Sequence, residues 1–139
     1  MKAFYLKRYP FSHAIMAIII VLSLAHIPEV PHLENISLMD KWTHMFMYGV
    51  LTSVIWWEYL RKHQYIYWQR VLIGAILLPI LLGGSMELAQ KYLTTYRSGE
   101  WLDVAANSIG VLLGTALALL VNRTYKAYRV NEIHEPHNL

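Results

Sequence analysis

The chain has 139 residues, of which 56% are apolar and 15% charged. With a mean hydropathy of +0.33 it is too apolar for an ordinary soluble domain. Its net charge of +3 comes without a soluble basic face that could follow a duplex, so nucleic acid is excluded as a partner and anionic lipid is the natural counterpart. The absence of cysteine excludes disulfides, thiolate metal sites and cysteine nucleophiles.

Four apolar stretches follow in chain order, at 11–27, 42–60, 70–89 and 102–121. Each is close to the roughly 20 residues that a helix needs to cross a bilayer. The expected fold is therefore all-α: a polytopic membrane protein built as a four-helix transmembrane bundle with short loops. Residues 1–10 form a cytoplasmic N-terminal segment, 11–121 the transmembrane domain and 122–139 a cytoplasmic tail. The first stretch, preceded by Lys2, Lys7 and Arg8 and ending at Ser23-Leu24-Ala25, also has the form of a cleavable signal peptide. The charge map argues for retention. Lys and Arg fall as three before the first stretch, three between the second and third (Arg61, Lys62, Arg70) and three after the fourth (Arg123, Lys126, Arg129). Only Lys41, Lys91 and Arg97 lie in or beside the other two loops, and this bias predicts an even number of spans with both termini cytoplasmic.

Along the chain, Pro28 and Pro31 mark the first loop, and Ser37-Leu38-Met39-Asp40 fits a capping box opening the second helix. Trp42 and Trp101 at one membrane face, with Trp56, Trp57, Tyr59, Tyr65, Tyr67 and Trp68 at the other, read as aromatic belts. Glu58, one turn before Arg61 and Lys62, reads as a boundary ion pair. Pro79 inside the third stretch predicts a kink or local unwinding. Gly110 and Gly114 form a GxxxG pair on the fourth helix, a spacing that lets two backbones approach closely. The stretch from Asn131 to Leu139 is polar and is expected to fray, with His134 and His137 solvated.

At about 100° per residue, each polar set occupies one helix face. Asp40, Lys41, His44 and Tyr48 share a face of the second helix, Gly83, Glu87, Gln90 and Lys91 a face of the third, and Asp103, Asn107, Gly110 and Gly114 a face of the fourth. All three faces are polar at the same end of their helices. In hydrocarbon an unpaired carboxylate or amide costs several kcal/mol, so these faces should turn inward together and form a polar pocket.

The pattern Asp40-Lys41 with His44 and Tyr48-Gly49, then Glu87-x-x-Gln90, Arg97, and Asp103-x-x-x-Asn107-x-x-Gly110-x-x-x-Gly114 closely resembles the VanZ-like family of small bacterial membrane proteins. The resemblance covers about residues 36 to 121. It implies residence in the bacterial cytoplasmic (inner) membrane and reduced susceptibility to teicoplanin-type glycopeptide antibiotics. One departure is Arg97-Ser98-Gly99-Glu100-Trp101, where family members often carry a small or hydroxyl residue in place of Glu100.

Three readings of the pocket follow. In the first, Asp40, Lys41, His44, Tyr48, Glu87, Gln90, Arg97, Asp103 and Asn107 line a binding site on the extracytoplasmic side for an anionic, lipid-linked cell-wall precursor. Lys41, Lys91 and Arg97 supply the cationic donors there. In the second, the chain is an intramembrane enzyme, with Asp40 and His44 as an acid/base pair or, with Glu87 and Asp103, as donors suited to a hard or borderline cation. It lacks an HExxH or phosphatase signature, and neither a catalytic residue nor a resident metal or cofactor is assigned. In the third, the role is structural. Asp40 and Asp103 are then first-turn acids favoured by the helix dipole, each worth about 0.3–1 kcal/mol, while Gln90 and Asn107 are interhelical glue. Expected partners are membrane lipids and the lipid-linked precursor, with homo-oligomerisation left open.

Overall fold

The computed structural model describes residues 8–25, 37–95 and 99–134, the side chains of 37, 38 and 128–134 excepted. These residues form four helices: α1 (Pro10–Leu24), α2 (Ser37–Lys62), α3 (Trp68–Leu93) and α4 (Trp101–His134). No strand occurs among the described residues. The expectations for Pro28 and Pro31, and for the Ser37 side chain of the capping box, lie outside what is described.

Cross-helix contacts fix the topology. Ser12 at the start of α1 meets Glu58 near the end of α2, and Ser23 at the end of α1 meets Gln90 near the end of α3. Along α2 and α4, His44 pairs with Asn107 and Trp56 with Thr115, so these two helices run in the same direction. The bundle is up-down-up-down, with α2 against α4 as its axis.

The α2–α4 contact is close because glycine makes it so. A Cβ added at Gly110 would collide with the Met45 carbonyl oxygen, and one added at Gly114 would come within 2.5 Å of the Gly49 carbonyl oxygen. The GxxxG pair thus packs within the chain, onto Gly49. Below it, Ile19, Tyr48, Leu51 and Val111 form a buried apolar cluster, and Trp56, Tyr59, Val71 and Ala75 form a second one.

The third helix carries the local unwinding expected near Pro79. Residues Leu72–Leu77 form a π-helical turn. The amide of Leu78 donates to the Ile73 carbonyl, five residues back, in place of the usual four. Proline has no N–H to give and its ring crowds the carbonyl four residues earlier, so a widened turn just ahead of Pro79 accommodates it.

Two helical segments are long and apolar enough to cross a membrane: Trp68–Leu93 with 26 residues and Trp101–Ala127 with 27, both with a mean hydropathy of 2.1. Each spans about 40 Å at about 1.5 Å per residue. Their outward faces carry Leu72, Ile73, Leu77, Leu81 and Leu88 on α3, and Leu112, Leu113, Leu117 and Leu120 on α4. α1 is apolar but has 15 residues, whereas α2, with 26, carries its polar residues through its length.

Several local expectations change. Glu58 is buried, and instead of an ion pair it forms the N-terminal cap of α1. Its Oε2 accepts from Ser12 N at 2.9 Å and Ser12 Oγ at 2.5 Å, and its Oε1 accepts from Phe11 N at 3.3 Å. Tyr9, at the capping position itself, offers no side-chain hydrogen bond, and Pro10 opens the helix. Arg61 and Lys62 lie instead over the rings of Trp57 and Tyr9, at 4.8 and 4.6 Å. Of the aromatic belts, Trp42 and Trp101 at one end and Trp57, Tyr65, Tyr67 and Trp68 at the other are exposed. Trp56 and Tyr59 are interior, because each has a polar partner there: Trp56 Nε1 donates to Thr115 Oγ1 at 3.2 Å, and Tyr59 OH accepts from Tyr67 N at 2.9 Å. Finally, α4 continues as helix to His134, into the first residues of the segment expected to fray from Asn131 onward.

Gly110→Ala should lower the unfolding midpoint of the detergent-solubilised protein by the equivalent of about 1–3 kcal/mol, the usual cost of overpacking. Gly74→Ala, where an added Cβ meets nothing within 4 Å, should leave the midpoint unchanged.

Candidate functional site

The start of α2, the end of α3 and the start of α4 converge at one end of the bundle. His44, two turns into α2, is buried, and its ring stands between two sets of oxygen atoms. Nδ1 faces Asn107 Oδ1 at 3.1 Å and Glu87 Oε1 at 3.7 Å. Nε2 faces Asp40 Oδ1 at 3.9 Å. Because Asn107 Oδ1 can only accept, Nδ1 carries the proton and donates it.

Lys41, next on α2, reaches across to α4. Its ammonium donates to Glu100 Oε2 at 3.1 Å and lies 3.6 Å from Asp103 Oδ1. At this mouth, outside the apolar stretches, the hydrogen bond to Glu100 and the nearby Asp103 carboxylate raise the lysine pKa above its ordinary value, fixing its positive charge. Asp103 itself is 3% exposed and Glu87 4%, while the Asp40 side chain stays half open to solvent. Glu87 Oε2 accepts the backbone N–H of Glu100 at 3.2 Å, which ties the segment before α4 onto α3. Gly99 permits that seat, since a Cβ there would collide with the Glu87 carbonyl oxygen.

Four carboxylates, those of Asp40, Glu87, Glu100 and Asp103, therefore surround one lysine and one histidine. Glu87 Oε1, Asp103 Oδ1 and Asn107 Nδ2 are buried without a hydrogen-bond partner. Such groups are expensive to keep, at about 1–3 kcal/mol each and more when charged, and are uncommon in a purely structural core.

The structure brings together Asp40, Lys41, His44, Glu87, Asp103 and Asn107, six of the nine site residues expected from sequence. Tyr48 lies one turn deeper, in the apolar cluster with Leu51 and Val111, and its hydroxyl is buried without a partner. Gln90 serves the α1–α3 contact, donating from Nε2 to the Ser23 carbonyl at 2.8 Å. Arg97 lies outside the described residues. Glu100, which the sequence reading treated as a departure in a loop, joins the cluster through Lys41 and through its backbone N–H. Its spacing of three residues before Asp103 was the available signal.

Beside this cluster a cavity of about 340 Å³ opens between α3 and α4. Its floor is Ile80, Leu81, Gly84, Leu88 and Val104, and its polar end is Glu87, Lys91 and Glu100. An apolar trough thus runs along the bundle and ends on charged groups.

A family model described as VanZ/LLP1 matches residues 4–122. This chain belongs to the VanZ/LLP1 family. A curated relative, "Uncharacterized protein C11E3.10" of Schizosaccharomyces pombe (strain 972 / ATCC 24843), is 34% identical over 122 residues, 86% of this chain and 68% of the relative. No solved structure matches. The VanZ/LLP1 match takes in α1, which the motif resemblance from residue 36 onward left out, so the family unit includes the helix that Glu58 caps.

Gly99→Ala should unseat the Glu100 amide from Glu87. The expected result is a lower unfolding midpoint, equivalent to about 1–3 kcal/mol, and faster amide hydrogen exchange at residue 100 with little change in α2.

Proposed function

We propose that this VanZ/LLP1 protein is a multi-pass membrane protein that binds a phosphate-bearing lipid, with the acyl chain in the α3–α4 trough and the headgroup at the polar cluster. The observation that carries this reading is the trough itself, whose apolar floor at Ile80, Leu81, Leu88 and Val104 leads directly to Glu87, Lys91 and Glu100. A site shaped this way matches a ligand with one greasy and one charged end, and ligand pockets of this kind are mostly apolar with a few convergent polar groups. Lys41 and Lys91 are the headgroup donors.

All four helices cross the membrane in this reading, with both termini in the cytoplasm and the cluster opening on the far side, as the nine-to-three distribution of Lys and Arg favours. In a bacterial inner membrane the ligand class is then an anionic envelope lipid or a lipid-linked cell-wall precursor. Lowered susceptibility to teicoplanin-type glycopeptides would follow from masking or altering the lipid environment that the drug requires. Binding of a membrane lipid, rather than of a peptidoglycan-specific group, also accommodates a fission-yeast relative.

Two measurements test this. Since the chain has no cysteine, Thr95→Cys and Gln64→Cys report the two ends of the bundle separately. In intact cells an impermeant thiol reagent should label Thr95→Cys and leave Gln64→Cys unlabelled, and the reverse pattern would remove an outward-facing envelope ligand. Gly84 lines the trough and has open space at its Cβ position, so Gly84→Phe should fill the trough without touching the charged cluster. Native mass spectrometry of gently extracted protein should then show a bound phospholipid in the parent and about tenfold less in Gly84→Phe; equal occupancy would sink the lipid site.

A further inference from the structure

His44 and Asp40 face each other from a distance too long for a hydrogen bond between them. The Nδ1 proton goes to Asn107 Oδ1 at 3.1 Å, which leaves Nε2 with a lone pair directed toward a carboxylate oxygen of Asp40 at 3.9 Å. Two acceptors face each other. Protonating Nε2 does not close the gap, because 3.9 Å lies beyond hydrogen-bond reach. It is, however, within the span of about 4 Å that one zinc-like cation can bridge when it binds a histidine nitrogen and a carboxylate oxygen at about 2.0–2.1 Å each, and a small shift of the half-exposed Asp40 side chain would bring the pair to tetrahedral spacing.

The third member of the group stands in the same place. One ligand atom each from Asp40, His44 and Asp103 lie within 4.8 Å of one another. Asp103 Oδ1 is buried with no hydrogen-bond partner, its nearest cation being Lys41 at 3.6 Å, and Lys41 already has Glu100 at 3.1 Å. An independent observation comes from the opposite edge of the ring. Glu87, whose side chain is 95% buried, points an unpartnered Oε1 at His44 Nδ1 from 3.7 Å. A carboxylate and an amide oxygen aimed at one imidazole nitrogen hold the proton there and leave the lone pair of the other nitrogen for a cation, the usual arrangement behind a metal-binding histidine.

We infer that Asp40, His44 and Asp103 form a binding site for a borderline divalent cation of the zinc or manganese type, with Glu87 and Asn107 orienting His44. One nitrogen and two carboxylate donors suit such ions better than copper(I), which seeks sulfur, or calcium, which seeks six or more oxygens. Three protein ligands leave at least one coordination position open. The inference rests on the lipid-binding reading in one respect: Glu87 lines the polar end of the trough and also faces His44, so a headgroup phosphate held there would lie beside the ion and could take its open position. The cation also resolves a charge problem in that reading. Four carboxylates stand near Lys41 and Lys91 and oppose a phosphate there, and a bound divalent ion adds positive charge to the two lysines.

The experiment uses full-length protein in detergent, freed of any affinity tag and stripped with a chelator. Zinc, or manganese in a parallel sample, is then added, unbound ion is removed, and metal is measured by inductively coupled plasma mass spectrometry together with the thermal midpoint. The parent should retain one zinc per chain and unfold at a higher temperature with it. Asp40→Asn should cut zinc affinity by about tenfold or more, and Glu87→Gln by about 10–100-fold. Asp40 is half exposed, so its variant should fold as the parent does. Gly84→Phe should lose lipid and keep zinc, so the two readings fail separately. A parent that retains neither zinc nor manganese would overturn the site, and so would equal retention by the parent and Asp40→Asn, which would place the ion elsewhere, for instance on the histidines near the C-terminus.

Discussion

The backbone contact between α2 and α4 is the constraint on which the other features depend. Gly110 against the Met45 carbonyl and Gly114 against that of Gly49 leave no room for side chains, so the two helices are locked in register as well as in distance. Small residues at such a seam are the membrane solution to helix association, because lipid tails offer no hydrophobic incentive to pair. Register propagates upward from the seam. One turn above Gly110 stands Asn107, opposite His44, and one further turn brings Asp103 to Lys41. The polar cluster is held by the glycines below it more than by its own hydrogen bonds, several of whose members lack partners.

This division of labour explains how a net-acidic cluster persists beside an apolar core. The cost of burying Glu87 and Asp103 is met elsewhere, in the close seam, in the apolar clusters around Tyr48 and Trp56, and in the tie between Gln90 and the end of α1. Groups relieved of a packing duty are available for ligands. The trough ends on the same Glu87 that orients His44, so an occupant of the trough and an ion at His44 would sense each other through a single side chain.

Much of this was legible in the sequence, and where it was not the reasons are local. The 3.6-residue period placed Asp40 with His44, Asp103 with Asn107, and Glu87 with Gly83 on one face of each helix, because a polar group in an otherwise apolar helix gathers with others of its kind. Helical spacing could not reveal which polar residue meets which. Gln90 shares the Glu87 face, yet it reaches Ser23 on α1, a neighbour that periodicity on α3 does not disclose. Glu58 seemed committed to Arg61 and Lys62 at helical spacing, but the bare N-terminus of another helix offered it two backbone amides and a hydroxyl. Trp56 and Trp57 look alike in sequence as interfacial anchors. Only the position of Thr115 decides that the first goes inside and the second stays at the surface.

The widened turn at Leu72–Leu77 has an effect on phase. The interior positions of α3 are Val71, Ala75, Pro79, Gly83, Glu87 and Gln90, nearly all four residues apart. In an unbroken α-helix the sixteen residues from Val71 to Glu87 would advance about 160° past whole turns, sending one of the two outward. A single extra residue absorbed in one loop of the spiral takes back about 100° of that advance. Pro79 thereby acts as a vernier: by loosening the coil at mid-depth, it lets one face of α3 serve both the tryptophan-lined floor of the bundle and the acidic chamber at its opposite pole.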